Sequence, residues 1–247
     1  MGAWTKRRAD APLGAFVAEA AGLDFIRVEG GPRVPRVHDV TATTIRLDEI
    51  VTAHPTREAA EDLGRRLSVL HTTPAPVFGA SWTGFIGPTD DLLPMDNAPD
   101  PTWAEHFRAR RVGPALREAR DRGRLAAADA DAVEQVLERL EKLVPDEGPA
   151  RIHGDLWSGN VLWAEDGAWL IDPAAHGGHR ETDLAMLQLF GLPFLDVVLA
   201  SYQKAQPLAE GWRDRVAVHQ LWPLLVHAAL FGGSYGDRAG TAARSLL

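Results

Sequence analysis

Apolar positions along the chain follow first a helical period, then a strand period, then a helical one again, and the changes mark the elements. Between Leu13 and Val28, Phe16, Ala20 and Leu23 with Val17 and Ala21 recur at helical spacing until Gly30-Gly31-Pro32 ends the run. Val34–Val40 and Thr43–Ile50 read as short strands, with Ile45 and Leu47 alternating in the second. Thr56 is placed to cap a helix whose Leu63, Leu67 and Leu70 share one face. Residues 73–101, rich in Pro, Gly and Asp, carry little periodicity and read as a long connection pinned by Phe78, Trp82, Phe85 and Ile86. Helical spacing returns over Trp103–Arg120, broken at Pro114, and through Val133, Val136, Leu137, Leu140 and Val144 to Pro145. Thr182–Phe190, closed by Gly191 and Pro193, and Trp212–Phe231, interrupted at Pro223, complete the helices, with Trp212, Trp222 and Tyr235 expected in the core.

Between these helices lies H-G-D-L-W-S-G-N, residues 153–160, followed at 170–174 by L-I-D-P-A. Phosphoryl transfer to a hydroxyl needs a carboxylate beside the nucleophile's proton and oxygen ligands for the magnesium that neutralises the phosphates. Asp155, Asn160 and Asp172 have the right side chains, and Asp155 and Asn160 stand five positions apart, as in the H-R-D-L-x-x-x-N kinase signature, with Gly154 in the arginine's place. Asp166-Gly167 between two apolar runs predicts a type I′ hairpin. That turn would pair Glu165 with Ala168 and Val161 with Asp172, bringing Asn160 and Asp172 out side by side.

Composition narrows the classes. The chain of 247 residues is 45% hydrophobic and 24% charged, as in ordinary globular proteins, and can hold one large domain or two unequal lobes. A net charge of −8 disfavours nucleic acid and anionic membrane surfaces as partners. The absence of cysteine excludes disulfides, thiolate catalysis and cysteine-bound zinc. The N-terminal residues lack the apolar core of a secretory signal and no run is long enough to span a bilayer, so a cytoplasmic location is expected.

The chain resembles the fructosamine-3-kinase (ketosamine kinase) family, a branch of the aminoglycoside-phosphotransferase-like kinases. The resemblance rests on residues 153–160, D-P-A-A-H-G-G-H-R-E-T-D-L-A-M at 172–186, L-F-G at 189–191 and H-Q-L-W-P-L-L-V-H-A-A-L-F-G-G-S-Y-G at 219–236, with looser matches at 19–23 and 85–87. It implies an α+β, protein-kinase-like fold of two lobes: a truncated N-terminal nucleotide-binding lobe, residues 1–50, and a mainly helical catalytic and substrate-binding lobe, residues 51–247. It further implies ATP and Mg²⁺ as cofactors and a ketosamine, or glycated amine, as the acceptor phosphorylated on a sugar hydroxyl, with protein deglycation as the consequence. By resemblance Asp155 is the catalytic base, Asn160 and Asp172 are magnesium ligands, Lys6 contacts the ATP phosphates and Glu19 is its partner. Asp48, Glu49 and Ile50 fall at the interlobe hinge, whose backbone would meet adenine, and Asp183 is expected to tether the catalytic loop through backbone hydrogen bonds.

Family members begin with a strand pair and a glycine-containing loop over the phosphates, whereas here Lys6 stands near the start and Gly2, Gly14 and Gly22 form no G-x-G-x-x-G. Two readings stay open, a start lying upstream and a weakened hold on ATP. The edge strand bearing Lys6 is expected to be covered by the chain's own N-terminal residues or by a second subunit in a homo-oligomer. Two other functions fit the same motif: a pseudokinase-like binding module, and a kinase of an aminoglycoside- or choline-like acceptor. His153, His176 and His179 invite a zinc reading, but Asp172 is already claimed for magnesium, and substrate or loop contacts fit those histidines better.

Overall fold

The computed structural model describes residues 2–88 and 91–247. Strand β1 (Ala3–Arg7), helix α1 (Ala15–Phe25) and strands β2 (Val37–Val40) and β3 (Thr44–Asp48) open the chain, the strands forming an antiparallel sheet in the order β1-β3-β2. Phe16 and Leu23 of α1 share one buried cluster with Ile45 and Leu47 of β3, so the helical and strand periods read in the sequence face each other. The second strand starts at Val37 rather than Val34. Pro35 has no N–H to give a ladder, and the carbonyls of Val34 and Pro35 accept from Arg27 Nη1 and Nη2 at 2.8 and 2.7 Å.

Helix α2 (Arg57–Thr72) is capped as expected, Thr56 Oγ1 accepting from Ala59 N at 3.1 Å, and buries Leu63, Leu67 and Leu70. The stretch read as a long connection holds an antiparallel hairpin, β4 (Gly84–Ile86) with β5 (Leu93–Met95). Strands of three residues, one containing Pro94, are too short to show a period.

Helix α3 (Trp103–His106), a π-helical turn over Phe107–Val112 and α4 (Gly113–Asp121) follow without a gap. Pro114 widens this rod rather than breaking it: Gly113 N reaches back to Arg108 O, and the Arg110 carbonyl, which Pro114 cannot serve, accepts from Arg111 Nη1 at 3.2 Å. The next amphipathic run forms two helices, α5 (Ala127–Leu137) and α6 (Leu140–Leu143). Arg108 Nε and Nη2 both donate to Leu137 O, at 3.1 and 2.7 Å, and occupy the acceptor that continuation would require.

The remainder comprises β6 (Ala150–Ile152), a 3₁₀ turn at Ser158–Asn160, the hairpin β7 (Val161–Ala164) and β8 (Gly167–Leu170), β9 (His176–Gly178) antiparallel to β6, and helices α7 (Glu181–Phe190), α8 (Leu195–Ala205), α9 (Trp212–Phe231) and α10 (Tyr235–Arg244). Helix α9 runs through Pro223 uninterrupted. Val218, Leu221, Leu224 and Leu225 around it are at most 2% exposed, and their burial outweighs one missing backbone bond. Trp212 and Trp222 are core residues, as expected, and Tyr235 packs half-buried against the cluster that holds Trp222.

One apolar cluster joins α3–α5 with α9 and α10, and a second joins α1, β3, α2, the β7–β8 hairpin, α7 and α8. Ala174 belongs to the first and Ala175 to the second, so Asp172–Ala175 runs along their junction, where a cavity opens. Among the described residues no helix is long and apolar enough to cross a membrane.

Candidate active site

The β6–β9 pair delivers His153-Gly154-Asp155 to the floor of the cavity, and Asp183 at the start of α7 fixes the turn. Its carboxylate accepts from His153 N at 2.7 Å and Gly154 N at 2.9 Å, which is the tether expected from the sequence. A third bond, 3.1 Å long, joins Asp183 to His71 Nε2 on α2, whose Nδ1 meets the Tyr202 hydroxyl on α8. Burial raises the Asp183 carboxyl, but His71 and the loop amides outweigh it and hold the group below its ordinary range. Gly154 has φ +80, and a Cβ there would stand 2.2 Å from Ala174 O, so only glycine fits where the kinase signature has arginine.

His153 ties the two acid-bearing segments together. Its Nε2 donates to Ile171 O at 2.9 Å and its Nδ1 accepts from Asp155 N at 3.2 Å, an arrangement that uses both ring nitrogens. Beyond it, Asn160 Nδ2 donates to Asp155 O and Oδ2 at 2.8 and 3.0 Å and lies 3.5 Å from Asp172 O. Asp155 is pushed up to about 7, mainly by burial, against the pull of Asn160 and with help from the nearby Asp172 charge.

Asn160 and Asp172 do come together, although in another register from the one the turn residues predict. Val161 pairs with Leu170 and Ala164 with Gly167, which moves the turn to Glu165-Asp166. Gly167, at φ +124, sits against Arg33, and Asp166 is held by Trp169 Nε1 at 2.9 Å and by Arg33 Nε at 3.6 Å, contacts that fix the earlier turn. A slip of two keeps every side chain on its face but carries Asp172 off the ladder. It then adopts φ +50, while Ile171 N still pairs with Asn160 O at 3.1 Å.

From the opposite wall, Lys6 Nζ reaches both Glu19 Oε2 and Asp172 Oδ1 at 3.0 Å. Burial lowers the Lys6 ammonium, but the two carboxylates outweigh it and raise the group above its ordinary value. Burial and the Asp172 carboxylate push Glu19 up to about 7 against the pull of Lys6. Two acids thus crowd one ammonium, and with Asp155 and the Asn160 amide they line a cavity of about 410 Å³. Such an all-oxygen donor set suits a hard divalent cation.

Asp48, Glu49 and Ile50 do not line this cavity. The Asp48 carboxylate is committed to Arg36 N and His38 Nε2, and Glu49 N donates to Gly2 O at 2.9 Å. Among the lining residues given no site role from the sequence are Arg8, Trp82, Trp157 and His227. Trp157 and His227 both pack against Phe190, at ring distances of 6.2 and 4.7 Å, and form an aromatic wall beside Asp155. Trp157 lay within the octapeptide and His227 within the 219–236 stretch already singled out, Trp82 was read as an anchor of the long connection, and Arg8 had no local signal.

The fructosamine kinase family model matches residues 4–247. The chain belongs to the fructosamine kinase family. It is 34% identical over 232 residues to the probable ketoamine kinase of Enterococcus faecium, covering 91% of this chain and 80% of that one, and 35% identical to that of Thermus thermophilus, covering 93% and 82%. A crystal structure from Thermobifida fusca, provisionally assigned to fructosamine-3-kinase, superposes with a TM-score of 0.93 at 51% identity, over 99% of this chain and 85% of that one. The gentamicin complex of APH(2″)-IIa, 14% identical, matches at a TM-score of 0.62 and shares the fold alone. This fructosamine kinase family member is therefore a phosphotransferase with an α+β, protein-kinase-like fold of two lobes.

In this family member His153, His176 and His179 do not converge. His176 is bonded to Ala174 O and Arg111 Nε, and His153 is used as described. His179 instead meets His219 and Glu181 in a buried group compact enough for a metal. Two features make it a structural tie. Glu181 N donates to His179 Nδ1 at 3.2 Å, so the ring proton is on Nε2, which faces the group as a donor and not as a ligand. Arg215 already pairs with Glu181 at 3.0 and 2.5 Å and Arg180 with Glu147 at 2.8 Å, leaving no net negative charge to hold a cation.

Proposed function

We propose that this cavity transfers the γ-phosphoryl group of ATP to a sugar hydroxyl of a ketosamine. The observation that carries the reading is the meeting of Lys6, Glu19, Asp155, Asn160 and Asp172, drawn from four separate parts of the chain, around one cavity. Residues 1–50 form its nucleotide side, with the backbone near Asp48, Glu49 and Ile50 beside the base, and residues 51–247 form its catalytic and acceptor side. Asp155 accepts the acceptor hydroxyl's proton as the oxygen bonds to phosphorus and the bond to the ADP leaving group breaks; a carboxyl poised near pH 7 suits that task. Asn160 and Asp172 are the residues that would hold Mg²⁺, which, when bound, neutralises charge on the phosphates. Lys6, steadied by Glu19, binds phosphate oxygens.

The aromatic wall of Trp157 and His227 faces the acceptor and can stack against the sugar-amine portion. Phosphorylation of a ketosamine makes the adduct labile, so the physiological outcome is removal of glycation from small amines or proteins. Incubating the enzyme with Mg²⁺, ATP and a panel of ketosamines, aminoglycosides and choline, and identifying products by mass spectrometry and ³¹P NMR, tests this reading. Phosphorylated ketosamine is the expected product. Tight Mg-ATP binding with no product from any acceptor would instead mark a nucleotide-binding module.

A further inference from the structure

Lys6 is not alone on its strand. Arg8 continues the β1 ladder, its N–H donating to Thr43 O at 2.9 Å, and lines the same cavity. Strand residues two apart project from the same face about 6.6 Å from each other, so Arg8 extends the positive wall beyond Lys6. The direction matters. β1 pairs through Ala3 with Asp48 at one end and through Arg7 with Thr44 at the other, so base side, Lys6 and Arg8 follow in that order.

The Arg8 guanidinium is incompletely used. Its Nε lies 3.1 Å from Asp10 Oδ1, a carboxylate that is 84% exposed, but its buried Nη1 has no hydrogen-bond partner among the described residues. A buried donor left unpaired is costly and calls for an acceptor. Among the described residues, the carboxylates that line the cavity do not supply one: Glu19 and Asp172 are turned to Lys6, and Asp155 to Asn160. A guanidinium fork matches a phosphate's paired oxygens better than any other ligand group that would enter with a nucleotide.

We propose that Arg8 binds the terminal phosphate of the nucleotide and so distinguishes ATP from ADP. The inference rests on the cavity being the nucleotide site. Arg8 contacts the γ-phosphoryl oxygens from the strand side, away from Asn160 and Asp172, which would hold Mg²⁺, while Lys6 serves the phosphates nearer the base. Asp10, bonded to Nε, orients the fork and leaves Nη1 free for the ligand.

The test measures the affinities of Mg-ATP, Mg-ADP and AMP for the wild type, Arg8→Gln and Arg8→Lys by calorimetry, with the acceptor KM alongside. Loss of one charge-assisted contact should weaken Mg-ATP about 10- to 50-fold in Arg8→Gln, with Mg-ADP changed less than about threefold and AMP and acceptor KM unchanged. Arg8→Lys, which keeps the charge but not the fork, should fall between. An unaltered ATP-to-ADP preference in Arg8→Gln overturns the proposal, and so does a change confined to the acceptor KM, which would place Arg8 on an anionic acceptor group. If Arg8→Gln does not fold, an unchanged preference in Arg8→Lys overturns it equally. A wild type that fails to bind Mg-ATP at all overturns the nucleotide reading of the cavity instead.

Discussion

Replacing Asp155 by asparagine should make the protein more stable and nearly inactive, and the size of the first effect follows from the burial of the carboxyl. In the native state the group is raised from the ordinary 3.8 to about 7. The folded chain therefore binds more protons than the unfolded chain between those values, and stability falls as pH rises through that window. At roughly 1.4 kcal/mol for each tenfold change, the full penalty is about 4 kcal/mol, an upper value because one side of Asp155 opens to the cavity. The substituted amide would keep the shape and an oxygen for Asn160 Nδ2 but carry no charge.

Urea denaturation of both proteins from pH 5.5 to 8.5, without Mg²⁺ or nucleotide so that neither biases the folded state, should show the variant's advantage growing by about 2 kcal/mol up to pH 7 and then levelling. Turnover of the variant should drop by about 10²-fold or more, and wild-type kcat/KM should rise with pH to a plateau above about 7. A stability difference that does not change with pH would refute the account of the buried carboxyl; undiminished turnover would remove Asp155 as the base.

Three further substitutions address other parts of the structure. Asp183→Ala strands the His153 and Gly154 amides in the interior and should cost about 4 kcal/mol in denaturation, at ~1–3 kcal/mol for each unpaired group, together with most of the activity; wild-type kinetics would show that the loop holds its shape unaided. Lys6→Met removes the ammonium shared by Glu19 and Asp172 and should raise the KM for ATP by about tenfold or more while sparing the KM for the acceptor, a pattern read from paired saturation curves. Gly64→Ala would place a Cβ 2.3 Å from Val198 O, where α2 crosses α8. The forced separation should lower stability by about 1–3 kcal/mol, visible as a lower Tm with active-site kinetics unaltered.

Legibility from sequence was uneven for physical reasons. The helices built on several turns of apolar repeat, such as that of Leu63, Leu67 and Leu70, were readable because burial and period coincide. The meeting of Asp155, Asn160 and Asp172 was readable because short spacing and a hairpin join them; that of Lys6 and Glu19 needed the family resemblance, since a lysine and an acid thirteen residues apart carry no local pattern. What failed depended on distant side chains. Arg27 takes the carbonyls that would have lengthened β2, Arg108 takes the one that would have fused α5 with α6, and Arg33 helps choose between two adjacent hairpin turns. At Asp48, Glu49 and Ile50 only a backbone role was read, and the side chains bear nothing on it: the Asp48 carboxylate is committed to Arg36 and His38. Pro223 misled in the other direction, since a local rule about backbone donors was overruled by burial on all sides of α9.

Asp172 lies just past the end of its hairpin with φ +50, and that places two independent filters on the position. The left-handed backbone admits glycine readily and asparagine or aspartate at small cost, but penalises other side chains by about 1–2 kcal/mol. The bond to the Lys6 ammonium calls for an acid. Glutamate passes the second filter and fails the first; asparagine and glycine do the reverse. Aspartate at 172 therefore has no tolerated neighbour among the natural residues, and a lineage abandoning the chemistry should leave asparagine or glycine there, preserving the turn as a record of the lost acid.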